Sequence, residues 1–274
     1  MKCIDFDRHF SDFTTKWVKE NSGKFANVEE MEQHFPSVYE KWLATPADWL
    51  GKVSPIDYFA QYDDAKMLVK WMRGYFKQGV AVPDLLLDRI GSLKETAPDE
   101  LLILLQKPSR DEDEAKLCAI GLMAELESDA AFGLYIGWIA SGDENDDLAE
   151  RAADAMTENA DAFKDELLAA HGGATEAGKL RILDILAYIS DDDRIFDLFV
   201  ERFERGENRA LFASYLQKYG DDRALPVLKK ALFDSATGYL DYIEIKSVIE
   251  FFGETVDEER DFSGDEHFEA LRNI

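Results

Sequence analysis

The sequence predicts an all-α fold of about fourteen helices. Apolar residues recur at helical spacing: Phe196, Phe199, Val200 and Phe203 fall at i, i+3, i+4 and i+7, and Leu225, Leu228 and Leu232 repeat the pattern. One face of each such helix can therefore be buried. No segment sustains the alternation of apolar and polar residues that a half-buried strand requires. From about residue 98 onward the chain is also self-similar, in units of paired helices.

Residues 1–82 read as an N-terminal helical subdomain. Phe6, Phe10, Phe13 and Trp17 form the stripe of a first helix. Asn27 and Glu30 make an Asn/Glu version of the capping box that opens the next, and Pro36 breaks or kinks it before Val38, Trp42 and Leu43. Trp42–Phe59 reads as a helix, a tight loop around Leu50 and Gly51, and a second helix, with Trp49 and Phe59 turned inward. Met67, Leu68, Trp71, Met72, Tyr75 and Phe76 form another strong stripe. Four of the five tryptophans lie in this region, which suits a cap over the first repeat: an open repeat stack needs its terminal apolar face covered.

Residues 83–253 form the repeat domain. Pro83 opens a helix over Asp84–Ile90, and Asp99–Lys107 with Asp111–Ser128 makes a first pair. Four segments then open with an aspartate, at Asp129, Asp161, Asp193 and Asp222, offset by 32, 32 and 29 residues. Each can act as an N-cap, because its carboxylate accepts from the free amides of the first turn and suits the positive end of the helix dipole. Second helices follow at Asp147–Asn159, Glu176–Ser190, Asn208–Gly220 and Asp241–Gly253. Their apolar arc is broader, as in Ile182, Leu183, Ile185, Leu186 and Ile189, which suits helices sandwiched between neighbours. Gly172-Gly173, Gly206 and Gly220 punctuate the pairs. Residues 254–274 read as an acidic tail: a charged mobile loop, closed by a short helix over His267–Ile274.

At Gly220–Leu232, with its acidic opener, paired apolar residues and Pro226 early in the helix, the chain resembles HEAT-like repeats of the phycobilisome-lyase type. The likeness covers roughly residues 98–253 and implies a right-handed α-solenoid of about five helix pairs. Arg151, Arg181 and Arg209 recur in the second helices, at offsets of 30 and 28, but no aspartate stands consistently six positions before each. A regular Asp-Arg ladder between repeats is therefore not expected. The resemblance implies architecture alone, since such repeats bind partners in some proteins and surround active sites in others.

The chain carries 57 Asp and Glu against 31 Lys and Arg, a net charge of −26. That field disfavours a general grip on nucleic acid phosphates and on anionic membranes. The longest apolar run, Ala130–Ala140, has eleven residues where a span needs about 20. Acids at Asp5 and Asp7 interrupt any secretion signal, and Cys3 and Cys118 read as reduced thiols, so a cytoplasmic location is expected.

Catalytic, cofactor and metal motifs are not found. His9, His34, His171 and His267 are scattered without zinc-ligand spacing, and phosphate-cradling and nucleophile-elbow motifs are missing. Asp5-Phe6-Asp7 imitates a phosphotransferase aspartate pair, but the plain reading is a helix start. Asp143, Asn145 and Asp147 imitate a calcium loop, with Leu148 where glycine belongs; the plain reading is a solvated turn. The expected function is a non-enzymatic scaffold that binds a protein or peptide with a basic surface along the second helices. Arg151, Arg181 and Arg209 are the candidate binding stripe, or else they pair with neighbouring acids to align repeats. The alternative is a hydrolase or transferase whose site lies between the N-terminal subdomain and the first repeat.

Overall fold

The computed structural model describes residues 3–257 and 260–272. Among them every regular element is helical: seventeen α-helices with short 3-10 turns between some of them, and one isolated bridge between Ala47 and Val53. That exceeds the expected count of about fourteen. Pro36 sits in the first turn of a helix that begins at Phe35 rather than kinking a longer one, and Pro55 opens another. A first-turn proline sacrifices only an amide that has no intrahelical partner. Backbone contacts divide the chain into two units, Met1–Leu134 and Tyr135–Ile274. The division falls in the first turn of a helix.

The first unit holds α1 (Phe6–Asn21), α2 (Val28–Glu32), α3 (Phe35–Ala44), α4 (Pro55–Ala60), α5 (Ala65–Gln78), α6 (Asp84–Ser92), α7 (Ala97–Leu105) and α8 (Asp113–Glu125). Helix α5 is its hub and packs on α6, α7 and α8. Asp64 caps it by accepting from the Met67 amide at 3.2 Å, and Gly79 ends it with φ 61°, a left-handed conformation that costs glycine least. Leu68, Met72 and Tyr75 of α5 are buried, as are Leu101, Leu104 and Leu105 of α7 and Ala119, Ile120 and Met123 of α8. Phe6 centres a second cluster, with ring centroids 5.3 Å from Trp49 and 5.4 Å from Phe59. The capping box before α2 forms in a shifted version. Asn27 Oδ1 accepts from the Glu30 amide at 2.8 Å, while Glu30 reaches back to the amide of Ala26 at 2.7 Å.

The second unit holds α9 (Phe132–Ser141), whose first turn spans the division, then α10 (Asp147–Thr157), α11 (Lys164–His171), α12 (Glu176–Leu186), α13 (Asp193–Arg205), α14 (Arg209–Tyr219), α15 (Leu225–Leu232), α16 (Tyr239–Phe251) and α17 (Glu266–Arg272). Three antiparallel-type pairs pack internally, α11 on α12, α13 on α14 and α15 on α16, and second helices touch one another where α10 meets α12 and α14 meets α16. Burial follows the sequence stripes. Phe196, Phe199 and Phe203 are buried along one face of α13, and Ile182, Leu183, Ile185 and Leu186 fill the broad arc of α12.

Two local expectations need correction. The caps at α13 and at the 3-10 turn leading into α15 lie one residue earlier than the predicted openers: Asp192 accepts from the Arg194 amide, and Asp221 accepts from that of Arg223. Asp193 and Asp222 already belong to the helical turns, where their backbone is committed. Asp161 likewise sits inside a 3-10 turn and accepts from Lys164 Nζ at 3.1 Å. The tail is anchored where a mobile loop was expected. Arg260 donates to the carbonyl oxygens of Asp234 at 2.8 Å and Ser235 at 2.5 Å, and buried Phe262 packs 4.9 Å from Tyr242. An aromatic residue two positions from an arginine gives this charged segment something to bury. The predicted closing helix forms at Glu266–Arg272; Asn273 and Ile274, which it was also to include, lie outside the described residues.

A close backbone joint lies between α9 and α12. Thr175 caps α12, donates its hydroxyl to the Gly142 carbonyl at 2.7 Å, and its amide donates to the Ala140 carbonyl at 2.9 Å. The last carbonyls of α9, which no amide of their own helix can reach, thus find partners on the next pair. A Cβ at Gly178 would meet the carbonyl oxygens of Ile139 at 2.6 Å and Ala140 at 2.7 Å. Only glycine permits this approach.

Gly178→Ala is therefore expected to lower stability by about 1–3 kcal/mol through forced separation of α9 and α12. Leu183→Ala, at a side chain 1% exposed, should cost about 2–5 kcal/mol through the cavity it leaves. Gly172→Ala, where φ is −62° and nothing lies within 4 Å, is the neutral control. Urea denaturation checks all three, and equal effects at Gly172 and Gly178 would contradict the joint. A fragment lacking residues 1–82 loses α5 from α7 and α8; it is expected to aggregate or to melt without a sharp transition, as followed by light scattering and calorimetry.

Candidate functional site

Along the second helices of the Tyr135–Ile274 unit runs a groove of about 440 Å³, to which α10, α12 and α14 each contribute. Its acids are Glu144, Glu150, Asp154 and Asp184, and its apolar lining includes Leu180 and Tyr215. The periodicity of α12 explains the arrangement. Ile182, Leu183, Ile185 and Leu186 face the packed side, which turns Leu180, Asp184 and Tyr188 outward. Leu180 is 45% exposed and Tyr188 58% exposed.

One cation already sits beside the groove. Lys218 Nζ donates to Asp184 Oδ1 at 2.8 Å and lies 4.8 Å from the ring centroid of Tyr188 and 5.6 Å from that of Tyr215. Burial works against the Lys218 charge, but the Asp184 carboxylate outweighs it and holds the ammonium above its ordinary value. Burial, followed by the Asp184 charge, pushes the Tyr215 hydroxyl well above the ordinary tyrosine range. The wall therefore binds a primary ammonium through carboxylate and ring faces together.

The predicted arginine stripe takes a different form at each position. Arg151 is exposed on α10. Arg181 donates through Nη2 to the Asp143 carbonyl at 2.6 Å, reaching back to the loop ahead of α10. Arg209 donates to Thr237 Oγ1 at 3.1 Å and stands 3.9 Å from Asp234, reaching forward to the loop ahead of α16. Arg181 Nη1 and Arg209 Nε are buried without a partner. Two of the three thus tie loops of neighbouring pairs, and Arg181 also lines the groove.

A ladder does exist, on residues that the sequence reading passed over. Arg194 pairs with its own cap Asp192 at 2.6 Å and with Asp165 of α11 at 2.7 Å. Arg223 pairs with its cap Asp221 at 2.6 Å and with Asp193 of α13 at 2.9 Å. Each first helix is thus pinned to the one before it. The signal was the Asp-Asp-Arg triplet at 192–194 and again at 221–223.

The first unit holds a larger cavity, about 580 Å³, between α5 and the start of α8, lined in part by Arg73, Lys77, Ser109 and Glu112. This is where the enzymatic alternative puts its site. Arg73 Nε donates to Glu112 Oε1 at 2.9 Å and closes much of the polar lining on itself. Burial raises the Glu112 carboxyl, but the hydrogen bond and charge of Arg73 overcome it, so the group stays below its ordinary range and suits an ion pair, not a proton acceptor tuned near neutrality. No histidine or cysteine lines the cavity. Among the described residues no group of three or more His, Cys, Asp or Glu is placed to hold a metal, and no helix is long and apolar enough to cross a membrane. Asp5 caps α1 by accepting from the Arg8 amide, and Asp143 accepts from the Asn145 amide in an inter-helix turn, so both imitative motifs follow their plain readings.

No protein family, curated protein or solved structure matches this chain.

The ladder carries a pH signature. The hydrogen bond from Arg194, opposed by burial and aided by the Arg194 amide, holds the Asp192 carboxyl down from 3.8 to about 2. A depressed carboxyl stabilises the fold above its unfolded value, and that contribution is lost as pH falls through its folded value. Asp192→Asn is therefore expected to lower stability at neutral pH and to flatten the loss of stability between about pH 4 and pH 2. Denaturation midpoints measured across that range check it; parallel curves would show that the pair contributes nothing.

Proposed function

We propose that the chain is a non-enzymatic, cytoplasmic scaffold, a right-handed α-solenoid of the HEAT-like, phycobilisome-lyase type, that holds a protein or peptide with a basic surface along its second helices. The observation that carries this reading is the groove: exposed Leu180 beside Glu150, Asp154 and Asp184, with Lys218 held at its edge between Asp184 and the exposed ring of Tyr188. Exposed apolar side chains supply contact area, and the carboxylates select the partner's charge. The helix pairs, their spacing near 30 residues and the contacts between successive second helices support the solenoid reading. The two free thiols suit a reducing compartment.

The test uses an amphipathic helical peptide with leucines on one face and lysines and arginines flanking them. The full chain is expected to bind it at a rate that falls as ionic strength rises, because charges more than about 8–10 Å apart are screened at physiological salt. Glu150→Gln, Asp154→Asn and Asp184→Asn combined should weaken binding roughly three- to tenfold. A rate independent of salt, together with unchanged affinity in the triple variant, would contradict the reading.

A further inference from the structure

The first unit carries a second concavity, of about 180 Å³, bounded by α1, α3 and the start of α6. Its wall is aromatic: Phe10 lies 5.1 Å from Trp42 and 5.0 Å from Tyr39, and Tyr39 lies 5.8 Å from Trp42. Trp42 is buried, but Tyr39 is 38% exposed, so these rings do not simply complete a core. Asp7 and Asp84 stand on the rim, and Asp88 follows one turn after Asp84. Burial raises the Tyr39 hydroxyl first, and Asp84, Asp7 and Asp88 raise it further, which sets all three carboxylates within electrostatic reach of that ring. Among the described residues no ion pair engages any of the three. Asp84 is the first residue of α6, where the positive end of the helix dipole suits a carboxylate.

We propose that this concavity binds a methylated ammonium group. Ring faces carry the negative side of the aromatic quadrupole and attract a cation seated over them. A cation whose charge is spread over methyl groups gives up little hydration on meeting apolar rings, whereas a bare ammonium gives up more. The unpaired carboxylates supply the long-range attraction and leave the ring contact to select the methyl groups. A volume near 180 Å³ equals about six water molecules at about 30 Å³ each, room for one small head group. The site is independent of the second-helix groove. The head group could be that of a free choline-like molecule or of a trimethylated lysine on another protein.

Calorimetric titration of the full chain tests this with choline, with a trimethyllysine peptide, and with the neutral isostere of choline in which carbon replaces nitrogen. Saturable binding of at least one cation is expected, with the isostere weaker by roughly tenfold. Tyr39→Leu keeps apolar bulk and loses the ring, and should reduce affinity several-fold; Asp7→Asn with Asp84→Asn should reduce it several-fold more, with circular dichroism unchanged in both. Tighter binding of choline assigns a small-molecule source, and tighter binding of the peptide a protein source. The proposal is overturned if neither cation saturates, if the isostere binds equally well, or if both variants bind like the original chain.

Discussion

Helices α10 to α16 run from 8 to 13 residues, at or below the length at which an isolated helix holds together in water, about 12–15 residues. None can persist on local hydrogen bonds, so each depends on lateral burial by its neighbours. That constraint accounts for the broad apolar arcs of α12, α14 and α16, where Leu183, Leu216 and Ile249 are all but inaccessible. It also accounts for the places where neighbouring pairs are locked by more than apolar contact. Thr175 and Gly178 bind the end of α9 to the start of α12, and Arg194 and Arg223 pin successive first helices.

The same packing decides what is left for recognition. A second helix buried over most of its circumference has only a narrow outward strip, and on α12 that strip holds Leu180 and Asp184, with exposed Tyr188 just beyond the helix end. Acids outnumber bases by 26, and the groove holds four carboxylates against one guanidinium, that of Arg181, with Lys218 drawn to Asp184 at its edge. Arginines, by contrast, are consumed by the architecture: their forked donors reach two acceptors at once, and Arg194, Arg209 and Arg223 all use that capacity between helix pairs.

Much of the fold was legible in the sequence. Helical stripes at Phe196–Phe203 and Met67–Phe76, and the aspartates at 192–193 and 221–222, placed their helices to within a few residues, because these signals are local. Whatever depended on an approach between distant segments was not legible. Gly178 reads as an ordinary helix glycine until the carbonyls of α9 are brought beside it. The Asp-Asp-Arg triplets read as solvated charge until successive first helices place Asp165 and Asp193 opposite them. The arginines at 151, 181 and 209 were visible as a series, but spacing alone did not reveal that Arg181 turns to one neighbouring loop and Arg209 to the other. Of the groove, the helices were legible and the residues were not, because exposure on a second helix is set by which arc its two neighbours cover.

If neighbour burial is what holds these short helices, stability within the Tyr135–Ile274 unit must depend on position. Native-state hydrogen exchange measures this directly. Amides of α12 and α14, which have helix pairs on both sides in sequence, should exchange most slowly, and those of α17 fastest. Equal protection throughout, or greatest protection at α17, would show that the helices are held by something other than their neighbours.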